Sequence, residues 1–251
     1  MRLRKKMTVI DDFLKHKRLS ANSLSAYRYD LEQFRQVVAG DIDITTLAQY
    51  QQFLRNLKPS AQKRKISAVN QFLYYLYDSG HLKTYHRLSG LSQPILEEKA
   101  LVEQLDFSQL WLETPYQKGQ VLALLILTLG LLPSEILALE AKDLNLEYGV
   151  LAITKAEHKR VLKVPDSLFP YLEGLNPEGF LFGKGSKPYS RQWFFTRFRE
   201  FMSSVGYGEV TAQKLREQYI VRQVASGESL TDIAKALGLK TVASLAKYQS
   251  I

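Results

Sequence analysis

Residues 211–250 read TAQKLREQYIVRQVASGESLTDIAKALGLKTVASLAKYQS, and one arginine and one tyrosine in this stretch organise the rest of the chain. Arg216 follows Leu215 at the start of a helical pattern (Leu215, Tyr219, Val224), and Tyr248 lies 32 residues on, after a second short helix. Between them, Leu237-Gly238-Leu239 is a turn, since glycine just past an apolar period marks a helix end.

Upstream of that stretch, residues 120–129 are apolar on every side and predict a buried helix. The longest apolar run, 121–132, has twelve residues against the roughly 20 that a membrane span requires. Residues 150–154 and 160–164 alternate apolar and polar side chains with five residues between them, which predicts a β-hairpin closed by Pro165. Ser190 is placed to cap a helix whose Trp193, Phe194, Phe198 and Phe201 pack into the core, with Arg191 and Arg197 turned to phosphate. The glycines of GFLFGKGSKPYS lack the spacing and the Ser or Thr of a nucleotide loop.

The first third is helical. Ser20 or Asn22 can cap a helix carrying Leu24, Tyr27, Leu31, Phe34 and Val38, with Arg28 and Arg35 on another face and Gly40 ending it. Leu47, Tyr50, Leu54 and Leu57 predict a second helix stopped by Pro59; Ile66, Val69, Leu73 and Leu76 predict a third, capped by Ser60. Lys63, Arg64 and Lys65 then fall in its first turns, where the helix dipole disfavours cations by about 0.3–1 kcal/mol each. A bound phosphate would reverse that cost, so 60–65 is read as a contact on a DNA backbone.

Charge supports the same reading. The formal net charge is +9, and residues 1–92 hold 16 Lys and Arg against 7 Asp and Glu, while the remainder balances at 18 against 18. Such a basic region suits duplex DNA, whose condensed counterions are released by Lys and Arg; membrane surfaces and acidic proteins are the rival partners. The chain has no cysteine, which excludes disulfides and thiolate metal sites, and its start has no apolar signal core, so a cytoplasmic protein is expected. His16, His81 and His86 show no metal spacing, and no cofactor is expected.

The set Gln213-Lys214-Leu215-Arg216-Glu217, Leu237-Gly238-Leu239 and Tyr248 resembles the second signature box of the tyrosine recombinases, or phage integrases, the XerD-like proteins among them. That box reads roughly H-x-L-R-H, then L-G-H or L-G-W, then the nucleophilic tyrosine. LGLLPSEILALEAKDL at 129–144 resembles the first box, roughly T-G-L-R-x-S-E-L, with Gly130, Leu131, Ser134 and Glu135 in place. SANSLSAYRYDLEQF and SAQKRKISAVNQFLYYLYDSG are similar to the N-terminal core-binding module with which such enzymes clamp one side of a duplex.

The resemblance implies a mainly α fold with a small β-sheet, in two domains. Residues 1–88 would form a helical, SAM-like core-binding bundle, 89–106 a linker, and 107–251 a recombinase-type α+β domain. It also implies roles: Tyr248 as nucleophile, Arg216 as phosphate clamp, and Lys155 at the hairpin tip as general acid to the leaving 5′-oxygen, with Lys159 the alternate. Arg160 joins Arg28, Arg35, Lys63, Arg64, Lys65, Arg191 and Arg197 as candidate DNA contacts. The implied partners are double-stranded DNA and another recombinase or a second copy of the chain, with no membrane.

Three positions depart from the pattern. Leu132 stands where the first clamping arginine belongs, and Gln213 and Leu239 stand where the family has histidine or tryptophan. Cleavage in this family is an in-line attack of tyrosine on a phosphate, giving a 3′-phosphotyrosyl bond, and depends on positive charge held in place. Losing one such donor typically costs about 10²- to 10³-fold, and an arginine acting on a transferring phosphoryl group is worth about 10³ to 10⁵. Neither Gln213 nor Leu239 can take a proton from a phenol whose ordinary pKa is about 10. Three residues follow Tyr248, where the resemblance implies a further helix docking into a neighbouring subunit, so a cyclic synaptic tetramer is expected to lack that tether.

The leading expectation is a recombinase-fold DNA-binding protein defective in strand cleavage and rejoining. Three other readings stand beside it. One is an active recombinase in which a further cation helps Arg216, Lys155 and Tyr248; another is a non-nucleic-acid scaffold. The last is a transcriptional regulator with a helix-turn-helix at 229–247 that offers Thr241, Ser244 and Lys247 to bases.

Overall fold

The computed structural model describes residues 2–90, 104–155 and 158–249, with the backbone alone at 2–8, 155 and 158. The chain divides into two compact units, 1–97 and 98–251, each with its own core. Most of the linker expected at 89–106 lies outside the described residues. The fold is mainly α with a small β-sheet, as the resemblance implied. Among the described residues no helix is long and apolar enough to cross a membrane.

The first unit is a bundle of α1 (Arg2–Lys15), α2 (Ala21–Val37), α3 (Ile44–Arg55) and α4 (Pro59–Asp78). Ser20 caps α2, its hydroxyl accepting from the Ser23 N–H. Asp43 caps α3 in a reciprocal pair with Thr46. Pro59 does not stop α3, which has already ended at Arg55; it opens α4 at the first helical position, where its missing N–H would be unpaired anyway. Lys58, not Ser60, is therefore the N-cap, and it contributes no side-chain bond. Phe13, Leu31, Phe34, Tyr50, Leu54 and Leu73 meet in the core, with the Phe34 and Tyr50 rings edge to face at 4.8 Å.

A polar network crosses this core. Asp30 is fully buried, and its Oδ1 accepts from Lys65 Nζ at 2.7 Å and from Arg64 Nη2 at 3.0 Å; Lys65 also donates to Gln33. Lys65 is 4 % exposed. The expectation that Lys65 faces DNA is therefore corrected: the anion that offsets its place near the start of α4 is the Asp30 carboxylate of the same unit. Tyr50 is buried beside Asp30 with its hydroxyl unpartnered among the described residues, and burial first, then the Asp30 charge, raise its pKa far above the usual value.

The second unit is built on α5 (Gln117–Leu129), buried almost all round. Full burial of each leucine contributes about 1.5–3 kcal/mol. It packs against α8 (Arg191–Ser204) and α9 (Ala212–Ala225) so closely that a Cβ on Gly119 would lie 2.3 Å from the Arg197 carbonyl oxygen. A short α6 (Pro133–Ala138) leads to an antiparallel sheet of β1 (Leu144–Asn145), β2 (Val150–Lys155) and β3 (His158–Lys163), in that order. The hairpin is longer than its alternation predicted. Lys155 pairs with His158, leaving only 156–157 between the strands, because cross-strand pairing extends past the apolar positions that mark the pattern.

Then come α7 (Phe169–Leu172), a small ribbon of β4 (Gly183–Lys184) with β5 (Lys187–Pro188), and α8, capped by Ser190 as expected. Phe194, Phe198 and Phe201 are buried, while Trp193 is half-buried and stacks on Tyr189 at 4.1 Å. The chain ends with α9, α10 (Leu230–Ala236) and a 3-10 helix at Val242–Tyr248.

Asp30→Ala strands the Lys65 ammonium in an apolar bundle. It should lower stability to urea by about 3–5 kcal/mol, whereas exposed Lys63→Ala should change it by no more than about 0.5 kcal/mol.

Candidate active site

The last carbonyls of a helix have no partner within it, and two such ends converge on α9. Gly130 terminates α5 in the left-handed conformation, at φ 64°. A Cβ there would lie 2.6 Å from both Leu237 and the Tyr219 ring, so close packing and backbone conformation alike require glycine. Leu237 terminates α10, after which Gly238 at φ 65° lets the Leu239 N–H bond to the Ala234 carbonyl and its own N–H to Lys235. Arg216, in the second turn of α9 behind its Thr211 cap, takes both ends. Its Nε donates to the Gly130 carbonyl at 2.6 Å and its Nη2 to the Leu237 carbonyl at 3.3 Å.

A second guanidinium comes from the sheet. Arg160, opposite Ile153 in the hairpin, donates from Nε to the Ala236 carbonyl at 2.8 Å. Its Nη1 and Nη2 grip the two oxygens of Glu135 at 3.0 Å each. Arg160 passes close beneath the α10 turn, since a Cβ on Gly238 would lie 2.7 Å from its Nη1. Glu135 also accepts from the Leu132 N–H at 2.9 Å, which fastens the start of α6. Burial is the main cause lowering the Arg216 pKa; Glu135 opposes it and the nearby Arg160 adds to it.

Leu132 itself is half-buried at the N-cap of α6, with no side-chain donor. Gln213 is exposed on the first turn of α9, and Leu239 packs onto the apolar cluster around Tyr248. Tyr248 is 2 % exposed, among Ile220, Ile233, Leu237 and Leu245. Burial raises its pKa above the usual 10.0; the neighbouring Lys247 ammonium opposes this, Glu217 adds to it, and the Arg216 charge lowers it. The fold thus brings Arg216, 32 residues earlier, near enough to Tyr248 for its charge to act on the phenol. Lys155 closes β2, and its side chain lies outside the described residues. Lys159, the alternate, is exposed on β3.

The other basic candidates differ in availability. Lys63 is exposed with no ion pair among the described residues. Arg64 is exposed but shares Asp30, Arg28 pairs with Asp11, and Arg35 is half-buried. Arg191 is exposed and lies 5.4 Å from the Phe195 ring centre, while Arg197 pairs with Glu200 at 2.9 Å. Two charged groups at the site were not read as a pair in the sequence, where Lys247 figured only as a base contact of the helix-turn-helix and Glu217 only as a member of the second box. Lys247 and Glu217 meet at 3.1 Å beside Tyr248, and no residue spacing announces the pair, since its members are 30 residues apart. The helix-turn-helix reading fits poorly: its second helix is a 3-10 helix of seven residues that carries Tyr248 into the core.

Residues 10–80 match the family model described as phage integrase, N-terminal SAM-like domain. The chain is 48 % identical over 240 residues to a protein called tyrosine recombinase XerD-like from Streptococcus suis, covering 96 % of this chain and 98 % of that one. A protein of the same description from Streptococcus agalactiae is 42 % identical over 241 residues, covering 95 % and 98 %. Among solved structures, the Tn1549 transposon integrase in complex with circular intermediate DNA has a similar fold, with a TM-score of 0.71 at 14 % identity over 96 % of this chain and 93 % of that one. So does the XerH site-specific recombinase bound to difH substrate before cleavage, with a TM-score of 0.69 at 14 % identity over 96 % and 81 %. The chain belongs to the XerD-like tyrosine recombinases.

Proposed function

We propose that this protein binds double-stranded DNA as a tyrosine recombinase does, with its scissile phosphate against Arg216, and that strand cleavage by Tyr248 is weak. The supporting observation is the state of the two guanidiniums at the site. Arg216 hydrogen-bonds neutral carbonyls and keeps its charge for an anion. Arg160 is bound through both Nη atoms to Glu135, and the pair is nearly buried, with side-chain exposures of 15 % and 4 %. It adds little net charge where Leu132 already supplies none. The solved proteins of similar fold are seen in complex with DNA, which supports the choice of partner.

In this reading Lys63 and Arg64, near the start of α4, meet phosphate, with Arg35 and Arg191 as further contacts, and Arg28 and Arg197 once they exchange Asp11 and Glu200 for it. The protein partner it calls for is another recombinase protomer, of this chain or a related one. An active recombinase is the second reading, favoured by the closeness of Arg160 to Arg216.

Nicked suicide duplexes separate the two. The wild-type protein should retain the duplex while yielding little covalent complex, and Leu132→Arg combined with Gln213→His should raise covalent yield about 10²-fold or more. Efficient trapping by the wild-type protein, lost in Tyr248→Phe, would establish the active reading instead. Duplex affinity should fall log-linearly with salt, and Lys63→Ala should reduce that slope by about 1; an unchanged slope removes Lys63 from the DNA interface.

A further inference from the structure

The Tyr248 phenol lacks the histidine or tryptophan that the family's second box would supply, since Gln213 is exposed and Leu239 is apolar. Another polar pair stands beside it. Lys247 Nζ lies 4.9 Å from the centre of the Tyr248 ring and 3.1 Å from Glu217 Oε1. Glu217 directly follows Arg216 on α9, so the pair ties the terminal 3-10 helix to the helix that carries the clamp.

The pair does little for stability. The Lys247 side chain is 51 % exposed, and ion pairs so open to water hardly stabilise a fold. Its placement matters more. The 3-10 helix buries Tyr248 yet leaves its neighbour Lys247 at the surface, and Glu217 bends that ammonium back over the ring. The charged groups that act on the phenol are Lys247 from its own helix and Glu217 and Arg216 from α9.

We propose that Lys247, oriented by Glu217, serves Tyr248 in place of the missing imidazole, holding the phenol and stabilising the phenolate as it attacks. The proposal rests on the reading of Tyr248 as the nucleophile. In the step, a Tyr248 Oη lone pair forms the bond to phosphorus while the bond from phosphorus to the 5′-oxygen breaks and its electrons stay on that oxygen. The phenol proton leaves to solvent water, and Lys247 stays an ammonium beside the phenolate. The 5′-oxygen takes a proton from Lys155 or from solvent. Lys247 is a local substitute that leaves the phosphate short of cations, which agrees with weak rather than absent cleavage.

Two measurements test it. In protein labelled with 3-fluorotyrosine, the Tyr248 fluorine resonance is identified by its loss in Tyr248→Phe and titrated in wild type, Lys247→Gln and Lys247→Arg. Lys247→Gln should raise the proton affinity of Tyr248 about tenfold, and Lys247→Arg should keep it near wild type. On a nicked suicide duplex at saturating concentration, Lys247→Gln should slow covalent complex formation at least tenfold, and Lys247→Arg should restore most of the rate. An unmoved titration in Lys247→Gln overturns the assignment, as does a moved titration with an unchanged rate. If wild type forms no covalent complex, the nucleophile reading fails on its own account, and the fluorine titration still decides whether Lys247 governs the phenol.

Discussion

Two helix ends, those of α5 and α10, would present unpaired carbonyls to the interior of the second unit if Arg216 and Arg160 did not reach them. Between them the two guanidiniums take the carbonyls of Gly130, Ala236 and Leu237. A buried helix terminus without partners is costly, and its partial negative charge favours a cation. The same contacts aim Arg216, because two of its donor nitrogens are held by backbone that cannot easily move. The guanidinium proposed to receive phosphate is thereby preorganised by the packing of the helices around it, with no acidic side chain hydrogen-bonded to it among the described residues.

The contrast between the two arginines is what supports the proposal that binding and cleavage come apart. Glu135 sits in the first signature box, and with leucine at 132 it has no guanidinium from its own helix; Arg160 from the hairpin fills that need. The pair anchors α6 to the sheet and to the α10 turn, so the frame survives the loss of the box-one arginine. Electrostatic stabilisation of a transferring phosphoryl group needs net charge at the phosphate, and an arginine closed on a carboxylate supplies little of it. The first unit repeats the lesson, for Lys65 in a basic run is consumed by Asp30 while Lys63 is exposed and has no ion pair among the described residues.

Much of this was legible in the sequence where local rules act. The Ser20 and Ser190 caps, the apolar spacing of α2 to α4, the all-round apolarity of α5 and the hairpin followed from capping and periodicity. Pro59 was misread because a proline marks both the end of one helix and the first turn of the next, and only three residues separate it from Arg55. The burial of Lys65 was illegible because it depends on Asp30, 35 residues away on another helix. The place of Lys247 beside Tyr248 was illegible for the same reason, its partner Glu217 being brought close only by the packing of the terminal helix on α9.

The central claim is that Arg216 receives DNA phosphate although the catalytic set around it is incomplete. Its most direct test is the affinity for a duplex selected from a random library, measured for wild type, Arg216→Gln and Tyr248→Phe at a temperature where circular dichroism shows all three folded. Arg216→Gln should bind at least about tenfold more weakly, in line with a charge-assisted contact, and Tyr248→Phe should bind as wild type does. Equal affinity of Arg216→Gln and wild type would contradict the claim and leave Arg216 only its work of closing two helix ends.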